Sequence, residues 1–254
     1  IRYIRAGHSL RAEDIGAVLY LSARLDSESR EMRVRHIILD EVQDYTPVQL
    51  AYLAQAYPQS RLTLVGDINQ RALIGNHLAR LADIGLDDMI EVELSTSYRS
   101  TSEITRFCNA ILGDTATGTI QAVDRHGSPV QRLSCRDEGD LFDKAEALLE
   151  EWGDRYGSVA LITRTMAAAR RLHRRLAEVH PVHLMEEGQH TFVHGAVLLP
   201  VYLAKGLEFD AVIVLCPEGD AYDDEERLLY YTACSRALHA LAIVSVGETS
   251  LTGQ

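Results

Sequence analysis

The chain has 254 residues, 46% of them hydrophobic, and a mean hydropathy of −0.08, so it carries enough apolar material for one or two compact cores. No apolar run nears the ~18 residues of a membrane span, and the opening IRYIRAGHSL lacks the charged-then-apolar pattern of a secretory leader. The net charge of −12 argues against a broad nucleic-acid surface, leaving room only for a narrow basic groove, and four widely spaced cysteines predict neither a zinc site nor a disulfide framework, which makes a reducing cytoplasm the default.

In chain order, RAEDIGAVLYLSARL from Arg11 to Leu25 predicts an amphipathic helix with Ile15, Val18, Leu19 and Leu25 on one face and acids in its first turn. RHIILD and RLTLVGD are short apolar runs ending in Asp40 and Asp67. TPVQLAYLAQAYP between them offers Thr46 as N-cap, Pro47 in the first turn and Pro58 as a stop, so the three make a strand-helix-strand unit. STSEITRFCNAIL predicts a helix with capping-box spacing from Ser100 to Glu103. From Pro129 strands alternate with helices: PVQRLSC, then DLFDKAEALLEEWG, SVALITR and MAAARRLHRRLAEV. HGAVLLPV, DAVIVLC, the helix DDEERLLYYTACSRAL and a last strand ALAIVSV complete the run. Such alternation predicts an α/β fold, parallel sheets with helices on both faces.

An Asp-Glu pair at a strand end holds magnesium and activates water beside a triphosphate in nucleotide-driven enzymes. LDEVQD places Asp40 and Glu41 in that position. LVGDINQ follows with Gln70, then LSTSYRS with Tyr98 and Arg99, AKGLEFDAVIV with Gly206 and Glu208, and LLYYTACSRALH with Arg236. The ordered series DEVQD, GDxxQ, YRS, KGLEFD and SRA resembles motifs II to VI of the superfamily 1 UvrD/Rep-like helicases. DEVQDYTPVQL, YRSTSEIT, LAKGLEFDAVIV and TACSRALHAL look most like the HelD-type, helicase-IV-like branch, whose Gram-positive members bind RNA polymerase and clear it from nucleic acid.

The resemblance implies two RecA-like P-loop NTPase domains, a partial first one over residues 1–90 and a complete second one over 91–254, with ATP and Mg2+ in a cleft between them. It implies that Asp40 is the magnesium acid and Glu41 the base that orients water, and that Gln70 senses the γ-phosphate. Tyr98 would stack on adenine, Arg99 and Arg236 would be arginine fingers, and Glu208 beside Gly206 would hold the ribose. Its implied partners are DNA or an RNA polymerase–nucleic acid complex.

A Walker A loop needs G-x-x-x-x-G-K-[ST]. The chain has two lysines, and neither Lys144, after Asp143, nor Lys205, before Gly206, follows a glycine in that pattern. The expectation is a C-terminal piece of a longer helicase, missing its N-terminal part and inactive alone. The rival expectation is an inert RecA-like module that only docks on a partner. RALIGNHL after Gln70 lacks the aromatic ring that UvrD-type helicases stack on bases. Pro200 and Tyr202 stand where those enzymes carry Thr-x-His, and about forty residues between ALITR and AKGLEFD leave no room for an inserted domain, so processive unwinding is not expected.

Two other clusters read as structural. Arg170, Arg171, Arg174 and Arg175 predict a solvated helix face, and the spacing of His180, His183, His190 and His194 matches no common zinc pattern.

Overall fold

The computed structural model describes residues 12–25, 31–67, 69, 89–113, 120–188, 195–247 and 251. The chain divides into a smaller unit, Ile1–Ile68 with Ile74–Glu91, and a larger one, Asn69–Leu73 with Val92–Gln254. No helix among the described residues is long and apolar enough to cross a membrane.

The smaller unit contains α1 (Ala12–Leu25), β1 (His36–Leu39), a 3-10 turn at Val42–Asp44, α2 (Pro47–Ala56) and β2 (Arg61–Leu64). Strands β1 and β2 pair in parallel with Ile37 opposite Leu62, and α2 supplies the crossover that parallel pairing requires. Thr46 caps α2 as its sequence predicts: its hydroxyl accepts from the Gln49 amide, while the Gln49 side chain accepts from the Thr46 amide. Such a cap contributes about 1 kcal/mol. Leu39, Val42 and Leu50 form the core, flanked by Ile37, Tyr45, Leu53 and Leu64.

Helix α1 has the expected bounds but not the expected face. Ala23 is buried, whereas Ile15, Leu19 and Leu25 stay exposed. At Gly16 a Cβ would lie 3.1 Å from Gln49 Cγ, so α1 meets α2 through a small residue rather than through the apolar stripe.

The larger unit holds β3 (Thr96–Ser97), α3 (Ser102–Leu112), β4 (Gln121–Ala122), β5 (Gln131–Cys135), α4 (Glu138–Gly153), β6 (Ser158–Thr163), α5 (Met166–Leu176), β7 (Val182–Leu184), β8 (Gly195–Pro200), α6 (Val201–Ala204), β9 (Phe209–Cys216), α7 (Arg227–Cys234) and β10 (Ala237–Val246). Six strands form one parallel sheet in the order β5-β10-β9-β6-β8-β7, and β3 pairs with β4 separately. The sheet is covered on both faces, as the alternation of elements predicts. Along β9, Ala211, Ile213 and Leu215 pack with α4 and α5, while Val212, Val214 and Cys216 pack with α3 and α7. Successive side chains of a strand point to opposite faces, and here each face meets helices, so residues 211–216 read as an unbroken apolar run.

Three local expectations change. The cap of α3 is Thr101, whose hydroxyl accepts from the Ile104 amide, and Ser100 is used elsewhere. The last helix is shorter than DDEERLLYYTACSRAL predicts, running only from Arg227 to Cys234, and Asp223 Oδ1 accepts from the amides of Glu225 and Glu226 to close a turn ahead of it. Arg236 therefore stands in the short link between α7 and β10. Strands β3, β4 and β7 have two or three residues, too few to show a period in sequence.

Gly66 follows β2 at a close approach. A Cβ there would lie 2.3 Å from Gln43 Oε1 and 3.0 Å from the backbone nitrogen of Val42, itself bonded to the Val65 carbonyl. Gly66→Ala is expected to destabilise the smaller unit by about 1–3 kcal/mol. The check is hydrogen exchange: protection should fall in β1 and β2 and stay unchanged in the six-stranded sheet.

Candidate functional site

Glu208 immediately precedes β9 and Arg236 immediately precedes β10, and the two strands start side by side, with Phe209 opposite Ala237. The Phe209 amide donates to the Arg236 carbonyl at 3.0 Å. The hydroxyl of buried Ser100 donates to the Ala237 carbonyl at 2.7 Å, which brings the Tyr98-Arg99-Ser100 segment to the same sheet edge. Three stretches far apart in the sequence thus meet where two parallel strands begin.

The side chains differ sharply in availability. Tyr98 is 76% exposed, with an open ring face. Arg99 Nε lies 2.9 Å from Glu208 Oε1, so the expected finger and the expected ribose acid pair with each other. Gly206 has φ +74, a left-handed conformation that favours glycine, and a Cβ there would meet nothing within 4 Å. Arg236 is 1% exposed. Its guanidinium donates to the carbonyls of Thr232 and Leu207 and to the Ser235 hydroxyl.

In the smaller unit, Asp40 is exposed just past β1, and its Oδ1 accepts from the Glu41 amide at 2.9 Å. Glu41 has φ 53 and ψ 43, the one non-glycine at positive φ among the described residues. Holding a glutamate there costs of order 1–3 kcal/mol, and such conformations cluster at functional sites. The Glu41 carboxylate accepts from the side-chain amide of buried Gln43. Gln70 lies outside the described residues. Asp40 and Glu41 thus belong to one unit and Tyr98, Arg99, Gly206, Glu208 and Arg236 to the other.

A family profile described as the UvrD-like helicase C-terminal domain matches residues 195–244, from β8 to most of β10, a span that includes Gly206, Glu208 and Arg236. Among solved structures, the C-terminal domain of a possible DNA helicase from Lactobacillus plantarum WCFS1 is similar at 31% identity. The match covers 61% of this chain and 92% of that one, with a TM-score of 0.52. The chain carries a UvrD-like helicase C-terminal domain. The PRRSV helicase also aligns, at 18% identity over 86% of this chain and 36% of that one, with a TM-score of 0.47. A search of curated protein sequences found no match.

In the larger unit, sequence reasoning missed Arg125. Its Nη1 donates to the Arg99 carbonyl at 2.8 Å and its Nη2 to His239 Nδ1 at 2.8 Å. Because a guanidinium only donates, Nδ1 of His239 accepts, which leaves Nε2 for Asp210, 3.8 Å away. Arg125 thereby ties the backbone that carries Arg99 to the start of β10. It sits in VDRHG, a connector without periodicity. The only available signal was a dense run of charged residues before a glycine, and Gly127 is indeed a close approach: a Cβ there would lie 2.5 Å from Thr101 Cγ2.

The arginine face of α5 is exposed, as expected, and acids on neighbouring elements balance part of its charge. Arg170 pairs with Glu186 and Arg171 with Glu138, while Arg175 lies over the Phe142 ring, 3.9 Å from its centroid. All four cysteines are buried free thiols. Burial pushes Cys108 and Cys216 up to about 12, where a thiol is inert.

The same connector is held by Glu103, which accepts from His126 Nδ1 at 2.9 Å and from the Gly127 amide at 2.8 Å. The hydrogen bond from His126, then that from Gly127, lowers Glu103 from 4.5 to about 2, and the hydrogen bond to Glu103 raises His126 above 6.5. A lowered acid stabilises above its unfolded value and loses this as pH falls toward about 2. A raised histidine stabilises below 6.5 and loses this as pH rises through its folded value. The connector is therefore held most firmly between about 4.5 and 6.5. In an NMR titration His126 should show a midpoint above 6.5, and Glu103→Gln should bring it back toward 6.5; an unmoved midpoint would disconnect the two groups.

Proposed function

We propose that this chain is part of an ATP-dependent DNA helicase or translocase of the HelD-type branch, acting on complexes of RNA polymerase with nucleic acid. The observation that supports the reading most is the convergence of the YRS, KGLEFD and SRA stretches at one sheet edge, with Arg99 and Glu208 2.9 Å apart. Bound ATP and Mg2+ would supply the phosphoanhydride and the charge that polarises it. The residues present fit such a ligand: an open aromatic face at Tyr98, a glycine at Gly206 with free space above it, and a hard oxygen donor at exposed Asp40.

In this reading Asp40 holds magnesium, Glu41 takes the proton of the attacking water, and Gln70 senses the γ-phosphate. Tyr98 stacks on adenine, Gly206 gives the ribose close access and Glu208 accepts its hydroxyls. Binding of the ribose competes with Arg99 for Glu208 and frees Arg99 to neutralise phosphate. Arg236 reaches phosphate only by exchanging its bonds to the Thr232 and Leu207 carbonyls. That burial favours a second reading, an inert RecA-like module in which Arg236 is purely structural.

Activity separates the two. The 254-residue chain, which has no Walker A lysine, is expected to show no ATP hydrolysis. In the parent protein Glu41→Gln should abolish turnover and preserve binding of a fluorescent ATP analogue; an unchanged turnover rate would remove Glu41 from the base role. A parent gene without a G-x-x-x-x-G-K-[ST] stretch would favour the inert module. Capture of RNA polymerase by the parent supports the HelD-type branch, whereas efficient duplex unwinding without polymerase excludes it.

A further inference from the structure

We propose that Glu146, Glu150 and His180 form a binding site for one divalent transition-metal ion, zinc by preference, that ties α4 to the segment following α5. Their ligand atoms lie within 4.8 Å of one another. Glu146 and Glu150 stand one helical turn apart on α4, where two like charges repel unless a cation lies between them. His180 approaches from a different element, and its backbone is fixed: its amide donates to the Leu176 carbonyl at 2.9 Å, and its carbonyl accepts from the Val182 amide at 2.8 Å. The ring is thus delivered to the two carboxylates by the turn that ends α5.

His180 Nε2 is closed off from solvent and makes no hydrogen bond. Its separation from Glu146 Oε1 is 3.6 Å, beyond a hydrogen bond. That distance is near the edge of a tetrahedron built on bonds of about 2.0–2.1 Å, which is about 3.3 Å. A nitrogen donor facing a carboxylate oxygen at ligand-to-ligand spacing is the geometry that a shared cation would need. One imidazole and two carboxylates suit zinc and its first-row neighbours better than Mg2+ or Ca2+, which favour all-oxygen shells. Glu150 is exposed, giving the ion a route in and leaving a position for water. None of the three residues belongs to the proposed nucleotide set. The pairing joins residues thirty or more positions apart, which is why the spacing of histidines along the chain did not reveal it.

The test uses the 254-residue chain stripped with a chelator and titrated with Zn2+ by calorimetry, with Co2+ absorption as a geometric probe. The expected result is one equivalent bound at micromolar or tighter Kd, a raised Tm in the presence of zinc, and Co2+ bands of a four- or five-coordinate ion. His180→Gln, Glu146→Gln and Glu150→Gln should each weaken binding by about tenfold or more and cancel the Tm increase. Circular dichroism reports whether each variant folds, and Glu150→Gln, at an exposed position, decides the matter should His180→Gln fail to fold. Absence of stoichiometric binding overturns the proposal and leaves a plain histidine–carboxylate contact. Binding that survives all three substitutions overturns it as well, placing the ion on other histidines.

Discussion

A guanidinium buried to 1% exposure organises one end of the larger unit. A charge removed from water is tolerable only when its donors find acceptors, and Arg236 finds them on the last turn of α7, at Ser235 and in the loop that carries Gly206 and Glu208. Satisfying that one side chain fixes the loop ahead of β9 against the link ahead of β10. The Phe209 amide then bonds to the Arg236 carbonyl, and Ser100 bonds to the next one, at Ala237. The Arg99–Glu208 pair and the Arg125 tether are laid upon this frame. Removing the guanidinium would thus disturb placement of the whole edge, so loss of function on substituting Arg236 would not by itself separate a catalytic from a supporting role.

The charged surface is arranged with similar economy. A net charge of −12 coexists with an arginine-rich helix because acids on neighbouring elements are spent on it: Glu138 at the start of α4 and Glu186 beyond β7. Arg164 is likewise enclosed by Asp220 and Glu226 at 3.2 and 2.7 Å, so two acids of the run before α7 turn inward to an arginine while Glu218, Asp223, Asp224 and Glu225 stay exposed. Sequence shows the sign of such clusters but not their partners, which lie on other elements.

What could be read from sequence follows from which forces are local. The central stretches of strands β6, β9 and β10 are apolar because both of their faces are covered, and the capping box of α2 is written within four residues. Ordered motifs identified the residues of the sheet edge. The acid cluster before α7 was legible, but the turn closed by Asp223, which shortens that helix, was not. Ser100 looked like a cap because its spacing to Glu103 is correct, yet a buried carbonyl on β10 claims its hydroxyl and Thr101 takes over the cap. Arg125, His126 and His239 belong to long-range contacts that no period announces. In α1 the apolar stripe was real, but a glycine decided which face meets α2.

The position of β10 governs how the larger unit can be made. It is the last strand in sequence yet lies inside the sheet, between β5 and β9, pairing with a strand that leaves the ribosome about a hundred residues earlier. Strand β5 has no other partner among the described strands, so it and the helix that follows it wait for β10 before their edge of the sheet can close. Pairings of such long sequence separation fold slowly and leave apolar strand faces open meanwhile. A chain that stops before Ala237 would lose a central plank, splitting the sheet into β9-β6-β8-β7 and a stranded β5. Strand β10 thus acts as the keystone of assembly, and the nascent domain remains a client for chaperones until it arrives.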